Sequence, residues 1–321
     1  YHLINNKTPS LPPKTHSYQQ WALALQTYAQ SDSLKQQVPY WQNIEEAIKP
    51  LPIDFDQGPI ISSTTNTISV LLTEEETRDL LQRVPTAYRT QINDILLTAL
   101  VLAIGDWTQT YDLTFSLEGH GREDIIQEID LSRTVGWFTS IFPVHLNISN
   151  PHDLGEAIKT VKETLRGIPH KGIGYGILQY LTAKSSVSAA SNISYSHPSL
   201  SFNYLGQWDN TLSQDELFTF AQETKKKSIA DQNQRMYLLD INSEVREGLL
   251  YLFWTYSKNH YHDSTIEKVA HSFIDRLKQL IKHCSQENTF GYTASDFALT
   301  SLPQKDLDLT FGSIPHIENI Y

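Results

Sequence analysis

The run Ile95–Ile104, ILLTALVLAI, is broken by a single polar residue, Thr98. Crossing a bilayer takes about 20 apolar residues, so this run cannot span one. The wider stretch from Asn93 to Trp107 is apolar on most sides, and a helix of that kind has no face to turn to water. It must be buried, which requires a large core. At 321 residues the chain can supply one, as one large domain or two ordinary ones. Its 40% hydrophobic and 19% charged residues are the balance of a globular protein, not a disordered one.

Charge and cysteine content narrow the function classes. Lys and Arg number 25 against 36 Asp and Glu, a formal net charge of -11. An acidic surface argues against nonspecific binding to nucleic acid or to anionic membranes. The lone cysteine, Cys284, excludes an intramolecular disulfide and a multi-cysteine zinc site, and it suits the reducing cytoplasm. No secretion signal opens the chain. It starts at Tyr1 and its one methionine is Met236, so it reads as a piece of a longer polypeptide.

The pattern along the chain is mixed α/β. Ser17 is placed to cap a helix from Tyr18 to Gln30, and a second helix is expected over Leu34 to Ile44. The proline-rich, then polar stretch Lys49–Thr65 is a lobe boundary. Ser69–Leu72 reads as a short strand, and Thr73 followed by Glu74-Glu75-Glu76 as a capping box with acid in the first turn. Tyr111–Glu118 alternates as a strand, and Arg133–Leu146 runs from loop into strand. Asp153 caps a helix to about Gly167. Ser185–Ser201 reads as a serine-rich loop and Ser199–Gly206 as a strand. Segments on either side of Arg246-Glu247-Gly248 form a hairpin, and Ser264–Cys284 is a long amphipathic helix.

The chemistry concentrates in Ser116–Asp124, SLEGHGRED, at the end of the alternating strand. Alternation puts Leu113, Phe115 and Leu117 on one face, and Thr114, Ser116 and Glu118 on the other. Glu118 therefore ends the strand on its polar face. Gly119 and Gly121 remove side-chain bulk, so a backbone or a ligand can approach closely. A plainer reading is a charged turn in which Glu118 or Glu123 pairs with Arg122 or Arg133.

Other candidates are weaker. Lys171–Gly176 looks like a phosphate loop, but no strand precedes it and the Walker lysine-Ser/Thr pair is missing; it reads as a glycine-rich lead into a helix around Ile177–Leu181. Asn259–Asp263 holds two histidines at strand spacing, with no third metal ligand placed; it reads as a solvated turn and helix cap. Lys225-Lys226-Lys227 reads as a solvated loop. No Gly-x-Ser-x-Gly nucleophile elbow is present.

Taken in order, these stretches carry a resemblance. Glu118-Gly-His-Gly-Arg-Glu123, Arg133-Thr-Val-Gly-Trp-Phe-Thr139, Gly172-Ile-Gly-Tyr-Gly176 and Phe202-Asn-Tyr-Leu-Gly-Gln207 resemble successive motifs of epimerization domains in nonribosomal peptide synthetases. Leu11-Pro-Pro-Lys-Thr15 and Asp94-Ile-Leu-Leu-Thr-Ala99 resemble the same family's spacers. The likeness runs from about Leu11 to Phe297. The related condensation domains share the fold but typically lack these versions of the first and last motifs. The family also has a His-His-x-x-x-Asp-Gly motif, and none of the 12 histidines here adjoins another. Tyr1 lines up just past where that motif belongs.

The resemblance implies a two-lobed, chloramphenicol-acetyltransferase-like α/β fold. Residues 1–62 would end its first lobe, 63–294 would form the second lobe, and 295–321 would lead toward a following condensation domain. It implies epimerization of an aminoacyl or peptidyl thioester, L to D, by removal and return of the α-proton. The enzyme would have no cofactor of its own, because the substrate rides on the phosphopantetheine of an upstream peptidyl carrier domain. The family assigns one acid/base role to the residue that is Glu118 here; the partner histidine would lie outside this chain.

Asn203 is favoured as a donor to the developing oxyanion. Tyr204, pointing the other way along its strand, has core as its first reading. Arg133 either orients Glu118, contacts the phosphopantetheine or makes a structural ion pair. His120 and Tyr175 are implied as supporting or tunnel residues. With most of a first lobe absent, an apolar face near Glu118 is expected to be uncovered. Two rival readings are a condensation domain that makes peptide bonds and a noncatalytic scaffold that docks carrier domains.

Overall fold

The structure is a computed structural model and describes residues 8, 11–182, 196–208, 229–287 and 289–297. Helix α1 (Tyr18–Tyr28) starts where Ser17 accepts from the Gln20 N–H and Gln20 accepts from the Ser17 N–H. This reciprocal cap satisfies donors that a first turn leaves open. The helix expected over Leu34–Ile44 is two pieces, α2 (Asp32–Lys35) and α3 (Val38–Glu46). Pro39 sits in the first turn of α3, where no N–H is needed, and its ring prevents α2 from running through. Strand β1 (Thr65–Leu71) begins earlier than expected, because all of it pairs antiparallel with the later strand Leu249–Ser257.

Thr73 and Glu76 cap α4 (Glu74–Gln82) reciprocally, as the sequence indicates, and α5 (Val84–Tyr88) follows. In α6 (Ile92–Thr108) every residue from Asp94 to Gly105 is buried. Asp94 tolerates this because Arg166 donates to both its oxygens, at 2.9 and 2.7 Å; a buried carboxylate needs such a partner. Then come β2 (Asp112–Gly119), β3 (Ser140–Asn147), α7 (Leu154–Arg166) capped by Asp153, and α8 (Ile173–Tyr180). Strands β4 (Leu200–Gln207), β5 (Leu239–Arg246) and β6 (Leu249–Ser257) precede α9 (Asp263–Cys284).

Among the described residues there is one six-stranded mixed sheet, in the order β1-β6-β5-β4-β2-β3. β4 runs parallel to both its neighbours, β2 and β5, and the other pairs are antiparallel. The hairpin between β5 and β6 turns at Glu247-Gly248, with φ of 53 and 74, the left-handed pair that a two-residue hairpin turn requires. α9 packs on β1 and β6 and against α6, which in turn meets β2 and α7. α3 and α8 lie against β3.

Three local expectations are corrected. β2 is buried on both faces, with Thr114 at 5% and Ser116 at 3% exposure. The Thr114 hydroxyl donates to the Ala47 carbonyl at 2.9 Å, so chain following α3 covers the polar face and the strand emerges only at Glu118. The glycine-rich stretch does not lead into a helix over Ile177–Leu181, since α8 already starts at Ile173. A Cβ on Gly174 would stand 2.1 Å from the Gln37 side chain, so close packing explains that glycine. Asn259–Asp263 is not a solvated turn, because His260 and Tyr261 are buried, Tyr261 against Trp107. His262 precedes α9 without a side-chain cap, and no metal-binding group occurs among the described residues.

No helix among the described residues is long and apolar enough to cross a membrane. Most of the serine-rich segment from Ser185, all of Lys225–Lys227 and the tail beyond Phe297 lie outside the described residues.

Candidate active site

β2 and β4 pair in parallel with Ser116 opposite Ser201, and β4 and β5 pair with Ser201 opposite Asp240 and Asn203 opposite Asn242. With side chains alternating along each strand, Ser116, Glu118, Ser201, Asn203, Asp240 and Asn242 share one face. On that face the Asn203 amide donates to Glu118 Oε2 at 2.9 Å. Asp240 accepts from the Ser201 hydroxyl at 2.5 Å and from Arg235 Nη2 at 3.2 Å. Glu118 is exposed at the strand end, where a reacting atom can reach it. The surrounding protein still removes enough of its water to raise its carboxyl above the ordinary range, and the charge of Asp240 adds to this.

The rest of the charge in Ser116–Asp124 builds the loop. Gly121 has φ of +67, and a Cβ there would fall 1.6 Å from the Phe138 carbonyl oxygen. Arg122 donates to the Leu131 carbonyl at 2.6 Å and the Thr134 carbonyl at 2.8 Å, with its guanidinium 4.0 Å from the Phe138 ring centroid. His120 accepts from the Arg122 N–H through Nδ1, and its Nε2 lies 3.2 Å from the buried Glu123. Lys171 approaches the other Glu123 oxygen at 3.3 Å. Arg122, Glu123 and His120 therefore hold the turn together, and Glu118 is the carboxylate that points away from it toward Asn203.

The remaining expected residues separate. Arg133 is exposed and has no hydrogen bond or ion pair among the described residues. It lies in the turn whose carbonyls Arg122 grips, so Asn203, not Arg133, is the group in contact with Glu118. Tyr204 faces the other side of β4, lines a depression with Leu80 and Ile92, and burial pushes its hydroxyl up to about 12. Tyr175 is buried in α8, with its hydroxyl donating to Glu45 and its ring 5.2 Å from that of Trp41.

A cavity of about 410 Å³ opens beside this strip, with Ser116, Phe142, Ile173, Tyr175 and His197 in its wall. Among the described residues, no Asp, Glu, Lys or Arg lines it. Its rim carries large exposed apolar side chains, including Trp137 at 80%, Tyr180 at 74% and Met236 at 57%. The sequence predicts an uncovered apolar face near Glu118; Ser116 and Ile141, its neighbours on β2 and β3, line this cavity. Sequence reasoning did not find Asp240. The alternation of Leu239-Asp240-Ile241-Asn242 was a signal for it, but the register that sets it opposite Ser201 is tertiary.

Known proteins share the sequence and the fold of this chain. The Condensation domain family matches residues 1–299. Tyrocidine synthase 2 of Brevibacillus parabrevis is 41% identical over 300 residues, covering 93% of this chain and 8% of that protein. Gramicidin S synthase 1 of Brevibacillus brevis is 36% identical over 318 residues, covering 96% of this chain and 29% of that protein. The crystal structure of the epimerization domain from the third module of tyrocidine synthetase B superposes with a TM-score of 0.80 at 41% identity, covering 88% of this chain and 63% of that one. The chain thus spans a small part of its synthetase relatives and somewhat under two thirds of the solved epimerization domain.

Proposed function

The chain belongs to the condensation-domain family of nonribosomal peptide synthetases, and from that premise we propose that it contributes the Glu118 side of an epimerase site. The substrate is an aminoacyl or peptidyl thioester on the phosphopantetheine arm of an upstream carrier domain. Residues 1–62 belong to the end of a first lobe, 63–294 to the second, and 295–321 lead toward a downstream condensation domain. The parent synthetase works in the cytoplasm.

The observation that carries the reading is the Glu118–Asn203 pair at the open end of β2, beside a cavity that no Asp, Glu, Lys or Arg lines among the described residues. Inversion needs a proton removed from one face of the α-carbon and one delivered to the other. A carboxyl raised above its ordinary range and still reachable by substrate is suited to exchange a proton in either direction. Asn203 holds one carboxyl oxygen, which leaves the other for the α-proton. As that proton leaves, charge builds on the thioester oxygen and has to be met by donors. The acid/base group for the opposite face comes from the remainder of the first lobe, which also covers the apolar rim at Trp137 and Tyr180.

The test joins this chain to that lobe and to a loaded carrier, then follows L-to-D conversion by thioester cleavage and chiral chromatography. Glu118→Gln keeps the shape but cannot accept a proton, and should cost roughly 10²–10⁴ in rate with carrier binding unchanged. Conversion at the parental rate would overturn the proposal. Peptide-bond formation without inversion would instead favour the condensation reading.

A further inference from the structure

Glu118 is not the only carboxylate on its face of the sheet. Asp240 lies on the same polar strip, reached across β4 through the register that sets Ser116 opposite Ser201 and Ser201 opposite Asp240. Its placement is clamped. Ser201 donates to Oδ1 at 2.5 Å, Arg235 to Oδ2 at 3.2 Å, and Asn242 approaches Oδ1 at 3.4 Å. Glu118, by contrast, accepts from Asn203 alone among the described residues. Among the described residues no side chain of opposite charge lies against Glu118, whereas Asp240 is paired with Arg235.

We propose that Asp240 is a positioning residue for Glu118, a carboxylate clamped by Ser201 and Arg235 whose negative charge acts on Glu118 across the same face of the sheet. Two like charges on one partly desolvated surface cannot both be held without a penalty. The carboxylate that is free to respond is the one with fewer donors. Ser201 and Arg235 hold the Asp240 carboxylate in place, and its charge adds to the burial that favours the proton on Glu118. The rise of the Glu118 carboxyl has burial as its larger cause and Asp240 as the second.

The other ionisable groups nearby do not supply this effect. From the β5 side, the Tyr237 hydroxyl is raised mainly by burial and itself senses both Asp240 and Glu118. At the strand end, His120 and Lys171 are engaged by Glu123. Across β2, Glu118 faces Ile141 of β3, which carries no charge. β4 contributes Asn203, and Arg235 reaches the strip through Asp240.

This inference rests on Glu118 being the acid/base group, but its test does not need turnover. The 321-residue chain is labelled with glutamate carrying ¹³C at the side-chain carboxyl, and the Glu118 resonance is identified by its loss in Glu118→Gln. Its titration midpoint is then followed by NMR. Asp240→Asn keeps the acceptor for Ser201 and removes the charge, so the Glu118 midpoint should move to lower pH. Arg235→Gln removes the compensating cation, so the midpoint should move to higher pH.

A midpoint unchanged in a folded Asp240→Asn protein overturns the proposal. If that variant fails to fold, as read by circular dichroism, an unchanged midpoint in Arg235→Gln overturns it instead. Where turnover is measured with the complete domain, the acid limb of kcat/KM should shift to lower pH in Asp240→Asn. Correct titration shifts without any inversion activity would leave Asp240's role intact and refute the epimerase reading alone.

Discussion

Glu118 holds its proton more tightly in the folded chain than in the unfolded one, since its carboxyl is raised from the ordinary 4.5. Between that value and the raised folded value the native state carries the extra proton, so stability falls as pH rises through the window. Glu118→Gln removes this liability. The variant should be more resistant to urea than the parent at neutral pH, with the difference vanishing below pH ~4, where both states are protonated. Equal midpoints at both pH values would mean that Glu118 is as well solvated as in the unfolded chain. Gly121 gives a second test at this scale. Its φ of +67 and the 1.6 Å approach to the Phe138 carbonyl leave no place for a Cβ. Gly121→Ala should cost about 1–3 kcal/mol from overpacking, and more for the left-handed backbone.

Among the elements, the caps were legible because they depend on residues close in sequence. Thr73 and Glu76 form the reciprocal bonds that start α4; Thr73→Ala should cost about 1 kcal/mol in urea unfolding. The ties between elements were not legible. Lys162 of α7 is 1% exposed, yet it donates to the Tyr88 carbonyl at the end of α5 and to both oxygens of Asp296 at 2.7 Å. Its partners are 74 and 134 positions away along the chain. Lys162→Met leaves Asp296 buried without its cation and should destabilise by roughly 3–5 kcal/mol. A loss below about 1 kcal/mol would show that water replaces the ammonium.

For the whole molecule, the proposed epimerase reading has Glu118 serve one face of the α-carbon and assigns the opposite face to none of the described residues. We therefore expect no L-to-D conversion of a carrier-bound aminoacyl thioester by the 321-residue chain alone, and recovery when the upstream lobe is supplied. The loss is compounded because positioning of the pantetheine arm is itself a large part of catalysis. Conversion above a no-enzyme control by the chain alone would place both acid/base groups within these residues and require a new assignment.

Periodicity determined the buried α6, the capped starts of α1, α4 and α7, the β5–β6 hairpin and the emergence of a carboxylate at the end of β2, because each depends on neighbours within a few residues. The ordered motifs also determined the family. Which groups meet was decided only in three dimensions. Asn203 and not Arg133 contacts Glu118, since β4 inserts in parallel between β2 and β5 while Arg133 rides on an exposed turn. Asp240 joins them for the same reason. A one-residue change of strand register would turn every one of these side chains to the opposite face, and register across a parallel crossover is set by the packing of the whole core, not by any local run of residues.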